Sequence, residues 1–216
     1  MQTVFRFTLG KEIWYRNDPV LAFAPLRLQR ISKGVPWKEK TTMQELKYLT
    51  GYPDSVTSQV AQLIVENRLG SLLAEKYPTA HAIRNEKALY DFTVAMKNKY
   101  LCISAPLSKV VFDGKINAIH QALGTHTFVS RVQGAKLKAK HEIRIAGVFK
   151  DGPLAFLKMI VVHELAHLKE KEHNKAFYKL CEHMEPNYHQ LEFDVRLFLT
   201  HLDISGPLHH ERENRE

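Results

Sequence analysis

The apolar run 156–162, FLKMIVV, is followed at once by His163, Glu164 and His167. A stretch this apolar is driven into the interior, and the polar residues that follow it go in with it. On an α-helix, His163 and His167 lie one turn apart on the same face, with Cβ atoms about 5–6 Å apart. Both imidazoles then reach a single ion at roughly 2.0–2.1 Å. Glu164 is rotated to the flank of that face, placed to act on water without ligating the ion. This is the physical content of the H-E-x-x-H pattern. The bland alternative is an amphipathic helix whose histidines face solvent beside lysines. It leaves unexplained why the apolar run is interrupted at ligand spacing.

A catalytic zinc site takes three protein ligands and keeps one position open. His173 is the third candidate. Six residues beyond His167 on an unbroken helix, it would point about 240° away around the axis. The helix therefore has to end or bend between Leu168 and His173. The KEKE segment before His173 favours helix and holds no glycine, whereas Asn174 is a good N-cap for a new helix. A break there swings His173 back over the first two histidines. Glu182, Glu185 and Glu192 are alternative third ligands. Glu192 and Asp194 are candidates to orient a ligand histidine through its other ring nitrogen. Tyr178, Tyr188, His183 and His189 are candidates to stand behind the ligands or to stabilise an oxyanion, although core packing is the ordinary use of such rings.

The rest of the chain supplies the setting. At 216 residues with 44% hydrophobic and 25% charged content, it can bury a core without a structural metal or disulfides. Two cysteines, Cys102 and Cys181, form no CxxC pair and read as small buried hydrophobes in a protein of the reducing cytoplasm. No signal peptide or membrane-spanning run is visible. The net charge of +8 is concentrated at the N-terminus, where residues 1–42 hold eight basic and three acidic residues, leaving about +3 for the remainder. Strong nucleic-acid binding is therefore not expected. One basic cluster survives between Arg131 and Lys150.

Residues 1–42 mix aromatics and prolines without a helical period. They read as an extension, disordered or mis-started, with Met43 as an alternative start. Residues 43–108 read as helical. Val56, Val60, Leu63 and Ile64 form one stripe closed by Gly70, and Leu89, Phe92 and Met96 turn inward on a later helix. Residues 109–204 read as the catalytic domain: three strands, the last two joined by the basic AKLKAK, then the long amphipathic HELAH helix and two C-terminal helices. The tail 205–216 is polar and reads as disordered. The fold class expected is α+β: a helical N-terminal half, a small antiparallel sheet, then the active-site helix and its two successors.

HELAHLKEKEHNKAFY and CEHMEPNYHQLEFD, with the preceding SRVQGAKLKAKHEIRIAG, resemble the YgjP-like metallopeptidase-domain family over roughly Met43 to Asp203. That family is related to SprT-like proteins and the wider zincins. The resemblance implies that His163, His167 and His173 bind the metal and that Glu164 is the catalytic acid–base. Glu170 stands where metzincins place a glycine, which argues against that subgroup. The 1–42 segment has no counterpart in shorter relatives.

Two activities follow from the resemblance. The first is peptide hydrolysis by metal-activated water, with Glu164 moving the proton and a strand such as HEIRIA holding the substrate. The second is UTP pyrophosphatase activity, releasing UMP and diphosphate. Arg131, Lys136, Lys138 and Arg144 would then bind phosphates, although a solvated hairpin rim is the ordinary role of such lysines. A non-enzymatic SprT-like scaffold is a third reading, which an intact Glu164 disfavours. Zn2+ is the cofactor expected, with another divalent cation such as Mg2+ an option for a nucleotide substrate. The partner is the substrate, peptide or nucleotide, with no membrane involved; the oligomeric state is not legible.

Overall fold

The structure is a computed structural model that describes residues 46–116 and 141–208 in full, and the backbone of residues 4–9, 12–17, 124–133 and 136–140. Met43, residues 18–42 and the tail from His209 lie outside the described residues, and the expectations of a disordered extension and tail fall largely there. In chain order the elements are β1 (Val4–Leu9), β2 (Glu12–Asn17), α1 (Asp54–Val65), α2 (Leu69–Lys76), α3 (Glu86–Tyr100), β3 (Leu107–Asp113), β4 (Gly124–Gln133), β5 (Lys136–Ala146), α4 (Leu154–Ala166), α5 (Lys175–Met184) and α6 (Tyr188–Ser205). Single 3-10 turns stand at Lys47–Leu49 and Gly147–Asp151. The class is α+β. No helix among the described residues is long and apolar enough to cross a membrane.

Two compact units emerge: Met1–Lys76 with Phe193–Leu208, and Tyr77–Glu192 with His209–Glu216. In the first, β1 and β2 pair antiparallel with Phe7 opposite Trp14, so the aromatic N-terminal stretch carries strands that its scattered prolines disguise. α1 buries Val56, Val60, Ala61 and Leu63. It ends at Val65, not at Gly70. Asn67 takes the left-handed conformation at φ 54°. Arg68 N–H reaches the Leu63 carbonyl at 2.8 Å, and Asn67 N–H reaches that of Ile64 at 2.9 Å. This pair of bonds is the Schellman closure, which an asparagine can supply in place of glycine. Gly70 instead lies inside α2, where a Cβ would stand 2.5 Å from the His201 ring. Asp194, fully buried, is held by Lys76 at 2.7 Å, and Arg196 donates to the Tyr48 carbonyl at 3.0 Å.

In the second unit, Asn85 caps α3 by accepting from Ala88 N–H at 2.8 Å. The buried stripe of α3 is Leu89, Thr93 and Lys97, with Phe92 and Met96 only half-buried beside it. Thr93 fits because its hydroxyl donates to the Leu89 carbonyl at 2.8 Å. Cys102 follows and is exposed, contrary to the expectation for both cysteines; Cys181 is buried.

The three-stranded sheet has the order β3-β5-β4. β4 and β5 form an antiparallel hairpin, but β3 runs parallel to β5, from Leu107 opposite His141 to Asp113 opposite Ala146. The sheet is therefore mixed, not antiparallel as expected. Three strands close in sequence read naturally as a meander, yet β3 and β4 stand at opposite edges of the sheet with β5 between them. The basic segment expected as a connector is the first half of β5. Ile143 and Ile145 of β5 are fully buried.

α4 is not amphipathic. Phe156, Leu157 and every residue from Met159 to Ala166 are buried, so it is a central helix enclosed on nearly all sides. Pro153 precedes it in extended conformation, as its missing N–H allows at a helix start.

His81 fastens the entry to this helix. Its Nε2–H donates to the Phe149 carbonyl at 2.8 Å, and its Nδ1 accepts from Ile83 N–H at 3.1 Å. The ring is thus neutral, and burial holds its pKa below the ordinary histidine range. The unfolded chain, titrating near about 6.5, takes up the proton first. Stability from this site is complete above that pH and falls as pH drops below it. The unfolding free energy from urea denaturation should decline from pH 7 to pH 5, with this site contributing at most about 1.4 kcal/mol per pH unit. His81→Gln should flatten that decline; an unchanged slope would show that His81 does not contribute.

Candidate metal centre

His163 and Glu164 lie in the last turn of α4, and His167 caps its C-terminus in right-handed conformation. The helix ends at Ala166, slightly before the 168–173 window that the ligand geometry demands. Leu168 N–H and Lys169 N–H turn back to the carbonyls of Leu165 and Ala166 at 3.1 and 3.0 Å. His167 Nδ1 donates to the Glu170 carbonyl at 3.0 Å, which tightens the turn where a metzincin would use glycine. The chain restarts at Asn174, whose side chain accepts from Phe177 N–H at 2.9 Å. His173, just before that cap, is swung back over α4.

The three imidazoles converge through Nε2. His173 Nε2 stands 3.2 Å from His163 Nε2 and 3.2 Å from His167 Nε2. Two nitrogens each held at about 2.05 Å by a tetrahedral ion would be ~3.3–3.4 Å apart, so the observed spacing fits a zinc-sized ion. The bond from His167 Nδ1–H to a carbonyl leaves Nε2 as a bare lone pair, the form a ligand needs. Among the described residues, these three histidines are the group of metal-binding type whose donor atoms lie within 4.8 Å of one another. Phe177, fully buried, packs its ring against all three imidazoles at centroid distances of 5.0, 4.7 and 4.7 Å. Burial, then the neighbouring His167, holds His173 below the usual histidine range.

Glu164 is 1% exposed, and its Oε2 has no hydrogen-bond partner. Burial pushes its carboxyl up to about 8. A buried carboxyl oxygen left unpaired is costly, and a cation beside it would draw the pKa back down. The donor set and this unsatisfied oxygen both suit a cation with an associated water.

The other candidates are deployed elsewhere. Glu182 stands 3.0 Å from His189 Nε2. Glu185 pairs with Lys158 and accepts from Asn187 N–H at 3.1 Å. Asp194 is paired with Lys76, and the His183 ring meets Tyr100 edge-on at 5.6 Å. The second nitrogen of His167 meets a backbone carbonyl, and that of His163 lies 2.7 Å from Tyr188 Oη. Arg144 is held by Asp113 and Glu142, each at 2.9 Å. Arg131, Lys136 and Lys138 lie on β4 and β5 with side chains outside the described residues; Arg131 is directly opposite Lys138 in register. Phe177 was not anticipated from sequence. Its signal was its place three residues after an N-cap, where the capped N–H and the ring belong to one residue.

Residues 134–195 match the family model described as YgjP-like, metallopeptidase domain. The chain is 60% identical over 162 residues to an Escherichia coli (strain K12) protein named UTP pyrophosphatase, covering 75% of this chain and 97% of that one. No solved structure matches. Near-complete coverage of that relative at this identity, together with a family match spanning both the HELAH helix and its returning histidine, makes the chain a member of the YgjP-like family.

Proposed function

We propose that this hydrolase cleaves nucleoside triphosphates, UTP foremost, to the nucleoside monophosphate and diphosphate, using a divalent ion held by His163, His167 and His173. The observation that carries the chemistry is the convergence of three Nε2 atoms at 3.2 Å beside a buried, unpartnered carboxyl oxygen. The nucleotide substrate rests on the 60% identical relative named UTP pyrophosphatase. Three neutral imidazoles favour Zn2+ over Mg2+, which prefers oxygen donors. When bound, the ion supplies Lewis acidity and lowers the pKa of water.

The chain's own groups do the rest. Glu164, at Oε2, takes one proton from the attacking water. The water oxygen forms a bond to the α-phosphorus as the bond to the bridging oxygen breaks. Diphosphate leaves with the electron pair, and Glu164 returns its proton to solvent or to the departing group. Burial of Glu164 on α4 fixes its position, and Phe177 shields the ligands on their apolar side. Arg131 and Lys138 are the proposed phosphate contacts. Their backbone positions are directly opposite each other on β4 and β5. Arg144 is already committed to two carboxylates and serves this role less well.

Peptide hydrolysis is the second reading. HEIRIA, expected to hold the peptide, lies in the central strand β5 and is paired on both sides, so an extended peptide would add instead at β4, an edge of the sheet. A panel of nucleoside triphosphates and unfolded proteins, offered to zinc-loaded enzyme, decides between the two.

Three variants test the assignment. Glu164→Gln should retain zinc, measured by elemental analysis, yet lose about 10²–10⁴-fold in UTP turnover. Full activity in that variant would refute the acid–base role. His173→Ala should lose bound zinc while keeping the wild-type circular dichroism spectrum; undiminished zinc binding would remove it from the ligand set. Arg131→Ala combined with Lys138→Ala should raise KM for UTP several-fold at constant zinc content. An equal effect on peptide cleavage would rule out a phosphate clamp.

A further inference from the structure

We propose that Tyr188 is a positioning residue of this centre: its hydroxyl oxygen accepts the Nδ1–H of His163 and holds that ring in the tautomer whose Nε2 is free. The inference rests on reading the three histidines as ligands. His163 Nδ1 and Tyr188 Oη are 2.7 Å apart, and the two rings lie 16° from parallel. His163 Nε2 faces His173 Nε2 at 3.2 Å, so it is the nitrogen turned to the centre. A neutral imidazole with a lone pair at Nε2 carries its proton on Nδ1, and that proton points at the phenol oxygen. Tyr188 is fully buried, so bulk water does not compete for this bond.

The position of Tyr188 is itself specified. Its N–H donates to the Glu185 carbonyl at 2.9 Å, and the Glu185 side chain accepts from Asn187 N–H at 3.1 Å. The same carboxylate pairs with Lys158 on α4. The turn that carries the phenol is thus tied to the helix that carries the ligand. His167 achieves the same tautomer with a backbone carbonyl, which no substitution can delete. His163 depends on a side chain, so its orientation can be tested by changing one oxygen atom.

Tyr188→Phe keeps the ring and removes that atom. Zn2+ affinity of the full-length protein, measured by competition with a chromophoric chelator, should fall ten- to a hundredfold. Nitrogen-15 spectra of the histidine rings report the tautomer independently of activity. In metal-free wild type, His163 should carry its proton on Nδ1; in Tyr188→Phe, the two tautomers should both be populated. Wild-type zinc affinity in a folded Tyr188→Phe variant would overturn the positioning role. So would a wild-type His163 protonated on Nε2, a result that holds even if the variant fails to fold. Wild-type protein that takes up no zinc would instead overturn the metal-centre reading beneath it.

Discussion

The burial of Glu164 is the constraint around which the second unit is organised. α4 is apolar on nearly every side, and its enclosure draws a carboxyl group to 1% exposure with one oxygen unpaired. Burial this complete opposes ionisation. The opposing influence comes from the next turn, where three imidazole nitrogens are gathered into a cation-binding arrangement. A cation held there and a carboxylate at Glu164 would stabilise each other, which would make the three imidazoles and this carboxyl one electrostatic unit.

That unit requires a helix to stop without the usual means of stopping. KEKE favours helix, and none of its residues takes a left-handed conformation. Termination comes instead from side chains. His167 bonds the Glu170 carbonyl, and Asn174 caps the next helix through Phe177 N–H. His167 thereby helps to form the bend that brings His173 to it. Phe177 joins cap and site, since its amide is capped while its ring covers the three imidazoles.

Much of this was legible in the residues because its causes are local. The i, i+4 spacing of His163 and His167, the need for a bend before His173 and the cap at Asn174 each depend on a few neighbours. The sheet was less legible. β4 and β5 alternate recognisably, but whether β3 joins them parallel or antiparallel depends on which edge of the hairpin it pairs with, and no local side-chain pattern encodes that choice. Gly70 misled for a related reason. A glycine near a helix end suggests a stop, yet here it makes room for His201, more than a hundred residues later, while Asn67 supplies the left-handed residue.

The sequence by itself determined which residues could form the proposed centre, His163, Glu164, His167 and His173, and their spacing, because helical periodicity and capping chemistry act over single turns. Only the tertiary structure decided what stands behind those donors. Tyr188 lies 25 residues from His163, and reaches it because Lys158 and Glu185 join two helices whose meeting no local pattern announces. The same holds for Arg144, which reads as a free cation along the chain and is paired with Asp113 only once β3 lies beside β5. Contacts of this kind depend on which elements are brought together, and that follows from packing the apolar faces as a whole.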